Sequence, residues 1–197
     1  MASILMCRKK PEDAIRTVAL IQGAADRLIE EVKSHRQLSA AERGEVEIDI
    51  DVAESLRLMQ DVANSYSEHE VANQRTININ SASDNVELAT DVVLARRVLG
   101  NMVKNALEAS SPGETVTLGC MDDEDFVVFS VHNSCYMPKK LQLQMFQRSF
   151  STKGAGRGIG TYSIKLFGEK YLQGRVSFTS SEENGTTFYL RLPKKHT

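Results

Sequence analysis

Near the N-terminus, side chains recur at alternating steps of three and four through Val18, Ile21, Ala25, Leu28, Val32 and His35. That spacing predicts a helix with a coiled-coil seam. Pro11-Glu-Asp opens it, since proline is tolerated in the first turn and acids favour the positive end of the helix dipole. Only one helix of this kind is present, so its seam needs cover from another chain or from the rest of this one. Downstream, Val46, Ile48 and Ile50 alternate with Glu45, Glu47 and Asp49, which reads as a strand with one wet face. Asp51, with Glu54 three residues on, then reads as the cap of a helix. Ile77 and Ile79 alternate again, as does Val86-Glu-Leu-Ala, before Asp91 opens a helix whose apolar face is Leu94, Val98, Met102, Ala106 and Leu107. The turn Ser111-Pro-Gly-Glu114 leads to strands at 115–120 and 126–131, separated by an acidic turn at Asp122 to Asp125. A helical run from Tyr162 and strands after Gln173 and Gly185 complete the pattern. Interleaved in this way, the elements predict an α+β fold: a two-layer α/β sandwich with a mostly antiparallel sheet and helices on one face. The coiled-coil-like helix forms a leading segment, 1–45, and the sandwich occupies 46–197.

Two stretches within that frame carry chemistry. Asn101 and Asn105 lie four apart in the middle of a helix and so stand on one face. Asparagine competes for backbone groups and is a mediocre helix former, so two stacked amides call for a reason. A solvated face is one. The other is that amide oxygens are hard ligands suited to Mg²⁺, which takes a few protein oxygens together with phosphate and water. Some fifty residues later, Gly154, Gly156, Gly158 and Gly160 fall within seven positions and open onto the helical run. Glycines let a backbone approach a ligand closely, and a helix beginning near Thr161 would aim free N–H groups at a phosphate. The stretch is neither a Walker loop, lacking Gly-Lys-Ser/Thr, nor a dinucleotide fingerprint, lacking a preceding strand.

Composition narrows the field. A chain of 197 residues with 41% apolar content can bury one core plus an appendage. A net charge of −2 gives no electrostatic basis for binding nucleic acid or a membrane surface. Cys7, Cys120 and Cys135 form no metal-ligand spacing, which suits a reducing cytosol. No membrane span is visible, because Ile4-Leu5-Met6 is followed at once by charges.

The asparagine helix and the glycine loop, taken in order, resemble the ATP-binding catalytic domains of sensor histidine kinases, within the gyrase/Hsp90/histidine kinase/MutL superfamily. Asn101-x-x-x-Asn105-Ala looks like the N box and Met145-Phe-Gln-Arg-Ser-Phe150-Ser-Thr-Lys153 like the F box. Gly156-Arg-Gly158-Ile-Gly160 is similar to the G2 box, and Asn184-Gly-Thr-Thr187-Phe to the terminal Gly-Thr-Thr-Phe strand. Residues 14–35, closed by Arg36 to Gly44, resemble the second helix of a dimerisation hairpin. The resemblance implies a Bergerat-type ATP fold with ATP and Mg²⁺ as cofactors. It also implies a homodimer through the N-terminal helix, a response regulator receiver domain as partner, and a cytoplasmic location.

By resemblance, Asn105 holds the metal and acts with Asn101 in catalysis. Lys153, Gly156, Arg157, Gly158, Gly160 and Thr161 cradle phosphates, and Thr187 approaches the nucleotide. The G1 box, usually Asp-x-Gly-x-Gly with the aspartate accepting from the adenine amine, is altered here to Val131-His-Asn-Ser-Cys135-Tyr-Met-Pro138. Counting back from Pro138 puts His132 at the aspartate position; a one-residue deletion puts Asn133 there. Asn133 is the preferred reading, since its amide oxygen can accept from adenine. None of His35, His69, His132 and His196 has the context of a phosphoacceptor, so the chain is expected to bind ATP without labelling itself. In hydrolysing relatives a glutamate occupies the place of Asn101, so rapid hydrolysis is not expected. The alternatives are a nucleotide-poor docking module, favoured by the altered loop, and an anti-sigma serine kinase.

Overall fold

The computed structural model describes residues 11–147 and 159–195. Helix α1 spans Pro11–Arg43, as the seam predicts. The alternation at 46–50 does not become a strand. It runs without a ladder, and β1 forms one step later, at Asp51–Glu54, paired antiparallel with β3, Glu87–Thr90. The reason is one of partners: β3 has four residues, and all four are taken by 51–54. The preceding segment is tied instead by the Asp49 N–H, which donates to Asp91 Oδ2 at 3.1 Å. Asp51 is therefore a strand residue and not a cap. Helix α2 starts at Ser55 and ends at Ser67, held by Ser55 Oγ, which donates to Asp84 O and accepts from Val86 N.

A five-stranded sheet carries the rest. Its order is β2 (Thr76–Ile79), β4 (Thr115–Asp123), β5 (Phe126–Asn133), β7 (Gly185–Pro193), β6 (Arg175–Ser181). Only β2 and β4 pair in parallel. Helix α3, Val92–Ala109, starts where Asp91 Oδ1 accepts from Leu94 N at 2.9 Å. A short α4, Lys139–Gln142, and α5, Ile159–Lys165, follow, and α5 runs on into a π-helical turn at Leu166–Tyr171.

The core lies between the sheet and the helices. Val127, Phe129 and Val131 of β5 and Phe188, Leu190 and Leu192 of β7 are buried against Leu58 and Met59 of α2 and Leu99, Met102 and Val103 of α3. Strand alternation therefore fixes which face each residue uses. Even-numbered residues of β7 and odd-numbered residues of β5 face the helices. Among the described residues, no helix is long and apolar enough to cross a membrane.

Among the described residues of α1, those at its end join this core, through Leu38 and Ala41. Tyr171 OH donates to Ala41 O at 2.5 Å, and Lys170 Nζ donates to the same oxygen at 3.1 Å. Arg97 of α3 stacks its guanidinium 4.6 Å from the Phe167 ring centre and donates to Gln37 Oε1. Burial lowers its pKa, but a guanidinium starts so high that it stays charged. Upstream, Val18, Ile21, Leu28 and Val32 are exposed.

Candidate functional site

The two amides of α3 face the start of α5. Asn101 Nδ2 donates to Ser163 Oγ at 3.0 Å, and Ser163 in turn donates to Gly160 O at 2.8 Å. This pins the Asn101 amide and leaves its oxygen as the free end. One turn along, Asn105 packs onto Gly160, where a Cβ would sit 3.3 Å from Asn105 Oδ1. Its Nδ2 is buried without a hydrogen-bond partner, a state that costs free energy unless something else supplies one. Helix α5 begins at Ile159, two residues before the expected start, and Thr161 is half-buried in its first turn.

At the end of β5 the sheet puts the two candidates for the altered loop on opposite faces. Asn133 is 3% exposed and continues the inward series Val127, Phe129, Val131. His132 points the other way, with its Nδ1 3.0 Å from Thr187 Oγ1. The same count places Thr187 on the outer face, away from Asn133. The threonine on the inner face is Thr186, the register partner of Asn133. Thr187 is thus not brought together with the other site residues, because side chains reverse face at each step of a strand.

Thr186 belongs to a hydrogen-bonded chain that stitches the altered loop down. Met137 N donates to Ser180 Oγ at 2.9 Å, Ser180 Oγ and Thr186 Oγ1 lie 2.8 Å apart, and Thr186 Oγ1 donates to Cys135 O at 2.7 Å. Gly185 closes the same end with φ +64; any Cβ there would overlap Asn133 O and the Ser134 backbone. Ser134 Oγ donates to Glu114 Oε1 at 2.9 Å. The backbone N–H of Ser111 and the Ser134 hydroxyl hold the Glu114 carboxyl below its ordinary range. Asn133 Nδ2, like that of Asn105, is buried without a partner.

Phe146 covers the inner face of the sheet beside this region, edge-on to Phe178 and Phe188, with Lys165 Nζ 5.6 Å from its ring. The predicted phosphate residues Lys153, Gly156, Arg157 and Gly158 lie outside the described residues. Ser163, Thr186 and Ser180 are the residues that sequence reasoning missed. Counting by two from Phe188 would have found Thr186, whereas Ser163 carries no signal short of the tertiary fold.

Residues 90–196, more than half the chain, match the family described as histidine kinase-, DNA gyrase B- and HSP90-like ATPase. The chain belongs to this ATPase family. Nucleotide binding goes with that membership. Within the family, the chain is 35% identical over 104 residues to a probable C4-dicarboxylate sensor kinase of Halalkalibacterium halodurans, covering 50% of this chain and 19% of that one. Full-length ShkA, solved with AMPPNP, superposes with a TM-score of 0.77 at 20% identity, covering 94% of this chain and 40% of that one. The histidine kinase ThkA, solved in complex with the response regulator protein TrrA, gives 0.69 at 20% identity, covering 94% and 53%. At these identities the two structures speak to fold alone. The chain spans about a fifth of the curated kinase it matches.

Proposed function

We propose that this chain is the Mg²⁺-ATP-binding catalytic domain of a sensor histidine kinase. It would offer the γ-phosphoryl group to a histidine on a helix other than those described. The observation that carries the reading is a pair of amides, half-buried Asn105 on α3 and buried Asn133 on β5, each with a buried and unpartnered Nδ2. Apolar cores do not keep such groups without use.

The donor set fits the cation. No cluster of three His, Cys, Asp or Glu among the described residues could hold a metal. A hard amide oxygen from Asn105 together with phosphate oxygens suits Mg²⁺, which takes few protein ligands. When bound, Mg²⁺ would neutralise charge on the phosphates. Asn105 would orient that end of the nucleotide, while Asn101, its amide held by Ser163, presents a fixed oxygen beside it. Asn133 would face the base. Transfer breaks the bond from the γ-phosphorus to the bridging oxygen and forms one to imidazole nitrogen, so positioning and electrostatics do most of the work.

The described histidines support an acceptor elsewhere. His69 Nδ1 accepts from Val71 N at a 3₁₀ turn, His132 is committed to Thr187, and His35 is exposed and followed by Arg36. In this reading the segment 1–45 serves dimerisation through the exposed stripe of α1, and a response regulator receives the phosphate. Titration calorimetry with ATP, with and without Mg²⁺, tests the proposal. Magnesium-dependent binding should weaken by about tenfold to a hundredfold in Asn105→Ala. No binding at millimolar nucleotide would sink it in favour of a docking module.

A further inference from the structure

We propose that the base end of this site accepts 6-oxopurine nucleoside triphosphates, those of hypoxanthine and guanine, alongside ATP, because Asn133 reads the base through a reversible amide. This rests on the nucleotide reading given above and extends it to the choice of base.

The polar side chains around the site have different fates. Ser180 and Thr186 are consumed in the chain from Met137 N to Cys135 O, so neither hydroxyl has a hydrogen left to offer a ligand. The Asn101 amide is fixed by Ser163. Asn133 differs from all three. Its backbone is locked, with Gly185 against its carbonyl, yet its side-chain Nδ2 is buried with no hydrogen-bond partner. No bond to that nitrogen selects one orientation of the amide over the other.

An amide offers a carbonyl acceptor and an N–H donor that exchange on a half-turn about the last side-chain bond. A carboxylate at the same position only accepts. Facing position 6 of a purine, a carboxylate suits an amino group and opposes a carbonyl oxygen. Asn133 suits both, with Oδ1 accepting from the adenine amine or Nδ2 donating to a 6-oxo group. The half-turn that brings Nδ2 to a 6-oxo group puts Oδ1 in the buried place that Nδ2 leaves, which also offers no partner, so the free protein does not set one pairing above the other. Sites that pair a specific polar group discriminate strongly against its absence, whereas a two-way group does not.

The test titrates the chain with Mg²⁺-ATP and Mg²⁺-ITP, which differ at position 6 and its neighbouring ring proton, with Mg²⁺-GTP as a larger third probe. ATP and ITP should bind the native chain within about tenfold of each other, and Asn133→Asp should shift the preference toward ATP by about tenfold or more. Should aspartate prevent folding, Asn133→Ala serves instead, and it must weaken ATP and ITP alike. ATP binding with ITP more than about a hundredfold weaker in the native chain would overturn the inference and leave the kinase reading standing. So would an unchanged ratio in Asn133→Asp, or an alanine variant that binds both as before. Failure of every nucleotide to bind would remove both readings together.

Discussion

Helices α1 and α3 each carry an apolar stripe at helical spacing, and the two stripes meet opposite fates. In α3 the periodic residues Leu94, Val98, Met102, Ala106 and Leu107 are all buried against the sheet. In α1, Val18, Ile21, Leu28 and Val32 stand in solvent, Leu28 at 62% exposure, and among the apolar residues described there Leu38 and Ala41 are the buried ones. Periodicity therefore identifies a face that wants burial and says nothing of what buries it. In α3 the chain itself supplies the cover; in most of α1 it does not. A stripe of that length matches the seam of a coiled coil, which is why dimerisation is proposed for it.

Substitutions at equivalent points on the two helices put the contrast at risk. Leu99→Ala, at a fully buried position of α3, should cost about 2–5 kcal/mol in denaturant unfolding. If the loss were no larger than that of a surface change, Leu99 would not be part of the buried face described. The double change Ile21→Glu with Leu28→Glu should leave unfolding of the sandwich within about 0.5 kcal/mol, while sedimentation shows loss of self-association. A monomer at every concentration before the change would remove the case for a seam.

The finest distinction concerns the turn that follows α3. Glu114 holds Ser134, beside Asn133, and its carboxyl pKa is depressed. A depressed pKa means that the contribution is present above the unfolded value and is lost as pH falls through the folded one. The Asn133 loop should then loosen only in acid, below the ordinary carboxylate range, with α1 unaffected. Amide hydrogen exchange at Ser134, followed against pH, should lose that dependence in Glu114→Gln.

Much of this was open to reading from the residues alone, and the exceptions have physical causes. Asp91 and the apolar spacing after it define α3 because cap and face are both local properties. The alternation through 46–50 misled because a period of two announces an extended chain but not a neighbour, and β3 is too short to pair with both 46–50 and 51–54. His132 and Asn133 became distinguishable once Val127, Phe129 and Val131 fixed the inner face. Thr187 lies on the outer face for the same reason: in a Thr-Thr pair on a strand, only one member can face inward, and here it is Thr186. The link from Asn101 to Ser163 joins positions 62 apart, and no local rule anticipates it. The π-helical turn at Leu166–Tyr171, which brings Lys170 and Tyr171 to Ala41, was equally invisible.

That last contact has a mechanical meaning. The 33 residues of α1 make a rod roughly 50 Å long at 1.5 Å per residue. It is clamped to the sandwich at Leu38 and Ala41, close to one end. Each degree of tilt at this fulcrum sweeps the far tip at Pro11, roughly 40–45 Å away, through about 0.7–0.8 Å. A shift too small to break the bonds from Lys170 and Tyr171 is thus magnified along the rod, and the same leverage runs in reverse.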